Sequence, residues 1–129
     1  MNLLFDNCMS YDLAHAFRIL GKLVAHVIDI PGLGSGAVDP VIYAYAGPRD
    51  VRVVSTDHAM KRSPVYVADI RNLNVGLFLV DIGKSRQLPA WDIYKLMFKA
   101  YDHMELFCGK NRPPFIALVK HNGQVVKFH

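Results

Sequence analysis

Four apolar runs in this chain end on an aspartate: Leu3-Leu4-Phe5-Asp6, His26-Val27-Ile28-Asp29, Val53-Val54-Ser55-Thr56-Asp57 and Phe78-Leu79-Val80-Asp81. Runs that are apolar at nearly every position belong to strands covered on both faces, and strands so covered are the parallel strands of α/β sheets. In a parallel sheet the four acids fall at one edge, the carboxyl end, where open α/β sheets bind their ligands. One pattern thus constrains both fold and chemistry.

The intervening segments agree with it. Ser10 stands as an N-cap with Asp12 in the first turn, and Leu13, Phe17, Leu20 and Val24 recur at helical spacing. Residues 25–30 read as a strand, which Pro31-Gly32-Leu33-Gly34-Ser35-Gly36 breaks. Asp39 before Pro40 reads as an N-cap followed by a first-turn proline. It opens a short helix with Val41, Ile42, Tyr45 and Ala46 on its apolar face, ended by Gly47-Pro48. Residues 51–55, 64–69 and 75–80 read as further strands. From Pro89, the residues Trp91, Tyr94, Met97, Phe98, Tyr101 and Met104 trace the longest helix, which Gly109 and Pro113-Pro114 close. Residues 115–121 and 124–128 flank Asn122-Gly123, a hairpin signal in which both turn residues take positive φ. The expected fold is doubly wound α/β: a mainly parallel central sheet flanked by helices, with a long C-terminal helix and a closing hairpin, in a single domain over residues 1–129.

Composition supports a core of that kind. With 129 residues, 52% of them apolar, the chain can bury about two-thirds of its unfolded surface without a disulfide or metal staple. No apolar run approaches the roughly 18 residues a membrane span needs. Asp6 interrupts the apolar start with no basic segment before it, so neither a membrane span nor a signal peptide is expected, and the cytoplasm is the expected location. Cys8 and Cys108, far apart and without metal-ligand spacing, read as free thiols.

The charge is uneven. Up to Ile70 the net is −1, and from Arg71 onward it is +5, a moderate basic excess compatible with a polyanionic partner. Of the eleven acids ten are Asp, a residue suited to turns and metal sites. Asp39, at the start of its helix, would face the same crevice as the strand-end acids. Two carboxylates about 5 Å apart repel by about 3 kcal/mol at an effective dielectric near 20, so such a cluster calls for protons or a cation. All-oxygen donors suit a hard ion such as Mg²⁺. Any single strand-end aspartate is equally a turn former, and Asp29 before Pro31 and Asp81 before Gly83 read first in that way. They form a second tier behind Asp6, Asp39 and Asp57. Lys61, Arg62, Lys84 and Arg86 follow strand ends and would rim the crevice, either as phosphate contacts or as a solvated basic face. His26, inside a strand, reads as a packed residue.

These residues carry a resemblance. Phe5-Asp6-Asn7-Cys8-Met9-Ser10 before an amphipathic helix, Ala25-His26-Val27-Ile28-Asp29, Asp39 opening a second helix, and Val54-Ser55-Thr56-Asp57 together resemble the PIN-like nuclease families. They resemble in particular the PIN-like domains grouped with VapC-type toxins of toxin–antitoxin pairs. The basic Lys61-Arg62, the strand at 75–80, Leu88-Pro89-Ala90-Trp91 and the closing strand at 125–128 extend the likeness over most of the chain.

The resemblance implies an endoribonuclease with Mg²⁺ or Mn²⁺ held by Asp6, Asp39 and Asp57, and with Asn7, Ser55 and Thr56 as polar neighbours. A metal-activated water would attack phosphorus in line. It also implies an RNA substrate, an antitoxin partner and a homodimer. The chain departs from the wider pattern in having no Glu beside Asp39, and Ala59 stands two positions after Asp57, where many relatives carry an acid. A second reading therefore stays open: a PIN-like interaction or RNA-binding module without catalysis.

Overall fold

A computed structural model describes residues 1–83 and 88–129. In chain order the elements are β1 (Leu3–Phe5), α1 (Tyr11–Ile19), β2 (Val24–His26), α2 (Asp39–Ala46), β3 (Arg52–Ser55), α3 (Pro64–Asn72), β4 (Gly76–Val80), α4 (Ala90–Lys110), β5 (Phe115–Val119) and β6 (Val125–Lys127). They form one six-stranded sheet in the order β2-β1-β3-β4-β5-β6, parallel through β5, with β6 antiparallel at the edge. The chain places β2 on one side of β1 and then β3 on the other. The strand order therefore reverses between β1 and β3, the place where sheets of this type open a crevice.

Strand periodicity divides the core in two. Leu3, Phe5, Val54, Phe78 and Phe115 pack on one face with Leu13 and Phe17 of α1 and Met97, Tyr101 and Met104 of α4. Leu4, Val53, Leu77, Leu79 and Ile116 pack on the other with Ile42, Tyr43 and Ala46 of α2 and Ile70 of α3. The sheet lies between two helical layers, which is why its strands read as continuous apolar runs. Each fully buried Leu or Phe contributes about 1.5–3 kcal/mol of transfer free energy. Among the described residues no helix is long and apolar enough to cross a membrane.

Several elements differ from expectation. The apolar stripe through Leu20 and Val24 does not continue α1. The Gly21 N–H donates to Arg18 O and the Lys22 N–H to Phe17 O, a Schellman closure with Gly21 at φ 81°, so Leu20 is exposed and Val24 opens β2. The strand expected at 25–30 stops at His26, whose Nδ1 accepts from the Ile28 N–H and turns the chain into a 3-10 turn at Val27–Asp29. Its Nε2 meets Met9 O at 2.9 Å, and the ring is packed as expected.

The strand expected at 64–69 is helix α3. Ser63 caps it through the Tyr66 N–H, Pro64 supplies the first-turn φ, and Ile70 anchors it. In α2 the N-cap is Val38, with Asp39 one position inside, and Tyr43 rather than Tyr45 or Val41 joins Ile42 and Ala46 in the core. Helix α4 runs past Gly109 to an Asn111 cap, and Trp91 and Phe98, one outer stripe at i and i+7, are exposed. The hairpin forms, but only Gly123 takes positive φ. Lys120 O accepts from the Gly123 N–H and the Lys120 N–H donates to Gln124 O, so the loop has three residues with glycine at its bulge.

Candidate functional site

Asp6 is the residue just beyond β1. Its N–H donates to Val54 O at 3.1 Å, continuing the ladder by one residue and turning the carboxylate toward the end of β3. The side chain is 2% exposed. Its Oδ1 accepts from the Cys8 N–H at 2.9 Å. Burial pushes the carboxyl up to about 6. The Ser55 hydroxyl and the Cys8 N–H pull it back, while the charges of Asp39 and Asp57 add to the rise.

Asp39 lies in the first turn of α2, where the helix dipole favours an acid, and its position inside the N-cap leaves its carboxylate out of capping. Burial, then the charge of Asp57, raises its carboxyl. Asp57 follows β3. Its N–H donates to Ser55 Oγ at 3.0 Å and its Oδ1 accepts from the Ala59 N–H at 3.0 Å, capping a 3-10 turn at His58–Lys61. His58 Nε2, at 2.8 Å from Val80 O, ties that turn to the end of β4. Ser55 is buried and accepts from the Asp57 N–H, and Thr56 is half-buried between Ser55 and Asp57.

The three first-tier acids therefore gather at the reversal of strand order, close enough to act on one another's charge. They do not form a closed cage: among the described residues no group of three or more His, Cys, Asp or Glu side chains is set to hold a metal ion. Asn7 stands at the rim, its Nδ2 reaching Ala37 O at 3.5 Å across to the loop before α2. The Cys8 thiol borders the same acids and is raised, chiefly by burial, so it is protonated at neutral pH. Both cysteines are free.

Asp29 turns away at the 3-10 turn and pairs with Arg18 Nη2 at 3.7 Å, because β2 ends three residues before it. Asp81 Oδ1 accepts from the Gly83 N–H, a turn closure. Lys61 carries its ammonium over the Phe128 ring, 5.0 Å from the centroid, while Arg62 is exposed. Lys84 and Arg86 lie outside the described residues.

One neighbour of the acids escapes a reading of apolar periodicity. Tyr43 is fully buried, its hydroxyl has no hydrogen-bond partner, and the charges of Asp39, Asp6 and Asp57 all act on it after the dominant effect of burial. Its spacing of one helical turn from Asp39 was the available signal. A cavity of about 510 Å³ lies at the opposite, amino end of β1 and β2, lined by Leu3, Arg18, Lys22, Val24 and Tyr45 among others, and holds no carboxylate. No family model, curated protein or solved structure matches the chain.

Proposed function

We propose that the chain is a PIN-like, metal-dependent endoribonuclease that acts in the cytoplasm as the toxin of a toxin–antitoxin pair. The observation that carries this reading is the gathering of Asp6, Asp39 and Asp57 at the carboxyl edge, with Asp6 raised to about 6. An all-carboxylate set is the donor chemistry that Mg²⁺ or Mn²⁺ takes, and Mg²⁺ keeps several of its waters. When bound, the ion supplies polarisation of a phosphate oxygen and acidification of a water.

The chain's own groups supply orientation. The Cys8 N–H fixes the Asp6 carboxylate, which would help to hold the ion. The Ala59 N–H fixes Asp57. Asp39 carries no capping bond and is free to turn toward a cation or its waters. The basic second half of the sequence, together with Arg62 of the first half, exposed beyond β3, favours the approach of RNA. An antitoxin would silence such a site by presenting Arg or Lys to the same aspartates.

The absence of a ready-made cage favours a second reading, a PIN-like RNA-binding or interaction module without catalysis. Incubation of the purified protein with single-stranded and structured RNA, in Mn²⁺ or Mg²⁺ and in chelator, separates the two. Metal-dependent cleavage that disappears in Asp57→Asn supports the nuclease. RNA retained intact under every condition supports the module.

A further inference from the structure

The cavity at the amino end of β1 and β2, about 510 Å³, falls within the range of about 300–1,000 Å³ that small-molecule pockets take. Much of its wall is the core beneath α2 left unfinished. Ala25, Ile30, Tyr45 and Val51 pack against that core, stay only partly buried, and all line the cavity. Arg18 stands on the same wall. Its Nη1 donates to Val24 O at 3.1 Å, which fixes the guanidinium beside the edge strand. Its carboxylate partner among the described residues is Asp29, at 3.7 Å from Nη2, beyond hydrogen-bond reach and with both side chains partly exposed. No lining residue is acidic, and Lys22, also on the lining, has no carboxylate partner among the described residues.

An apolar hollow with a held guanidinium on its wall and no acid in its lining matches a molecule that has both an apolar and an anionic part. A carboxylate takes two parallel N–H bonds from a guanidinium fork, and Arg18 has donors left after Val24 O is satisfied. An apolar body removes the wall from water at the same time. We propose that this cavity binds a small amphipathic carboxylic acid. Its carboxylate sits on Arg18 in place of the loosely paired Asp29, and its apolar body lies against Ala25, Ile30, Tyr45 and Val51. The site uses none of Asp6, Asp39 and Asp57, so it stands or falls apart from the metal reading.

Amide-detected NMR titration of wild type, Arg18→Gln and Asp29→Asn with octanoate, and with octan-1-ol as its uncharged counterpart, tests it. Octanoate is expected to give saturable shifts at the amides of Ala25, Ile30 and Val51. It should bind wild type about tenfold or more tightly than octan-1-ol, the range for hydrogen bonds to a charged group. Arg18→Gln is expected to lose that preference and keep its affinity for octan-1-ol. Asp29→Asn, which removes an exposed competitor, is expected to bind octanoate about two- to fivefold more tightly. Equal affinity of wild type for the two ligands, or shifts that fail to saturate or fall outside the cavity, overturns the proposal. So does an Arg18→Gln protein that binds octanoate as wild type does. If Arg18→Gln loses both ligands, Asp29→Asn decides: tighter octanoate binding supports the carboxylate on Arg18, and unchanged binding overturns it.

Discussion

Ser55, buried at the end of β3, accepts the Asp57 N–H through its hydroxyl oxygen at 3.0 Å. Asp6 follows the adjacent parallel strand β1, and the Ser55 hydroxyl lowers the pKa of its carboxyl against the larger effect of burial. Ser55→Ala leaves the Cys8 N–H as the hydrogen bond that favours ionised Asp6. The Asp6 titration midpoint is expected to move above about 6. Carboxyl-detected NMR titration reads the shift directly, and an unmoved midpoint would show that Ser55 serves Asp57 alone.

Asp6 also gives stability a pH dependence. Its folded pKa, about 6, exceeds the ordinary 3.8, so the native state holds the proton more tightly than the unfolded chain. That contribution is fully present below pH 3.8 and is lost as pH rises through about 6. At about 1.36 kcal/mol per pH unit of difference, the loss is about 3 kcal/mol. Urea unfolding of wild type against Asp6→Asn at pH 4 and pH 8 isolates it. The two proteins should differ most in their pH slopes, and parallel slopes would contradict the burial argument.

Asp57→Asn is expected to lose metal-dependent RNA cleavage while keeping or gaining up to about 1 kcal/mol of stability, because it removes one repelling charge. Asn keeps an oxygen to accept from the Ala59 N–H, so the turn after β3 survives. Cleavage assays and urea melts on one preparation check both halves. A mutant that cleaves like wild type would show that Asp57 holds no ion.

Asp29→Asn supplies the contrast. Its pair with Arg18 is long and both side chains are partly exposed, so the change is expected to alter stability by less than about 0.5 kcal/mol and leave cleavage intact. Loss of cleavage in this variant would return Asp29 to the site.

Regulation is tested in cells. Expression of the chain alone is expected to slow growth, and co-expression of the neighbouring open reading frame to restore it. Equal growth in both cases, with Asp6, Asp39 and Asp57 intact, favours the non-catalytic module.

The sheet was legible because burial on both faces writes itself into a strand as an unbroken apolar run, as at Leu77 and Phe78, and the carboxyl edge followed from parallel pairing. Local competition hid the rest. Val65 and Val67 look like a strand until Ser63 and Pro64 are weighed as a helix start. His26 ends β2 through a side-chain bond that no propensity encodes. At the site, Asp6, Asp39 and Asp57 stood out as charges among apolar neighbours. Tyr43 did not, since an aromatic on a helix face reads as core, which is where its ring packs.

The edge strand β2 is three residues long, and Arg18 Nη1 donates to Val24 O at 3.1 Å, occupying a carbonyl at the open side of the sheet. An exposed strand edge is a template on which other chains stack into aggregates, and a short strand whose carbonyl is already taken offers little to copy. The opposite border, β6, is also only three residues long and includes exposed Lys127. A chain folded in this way resists growth by strand addition at both borders.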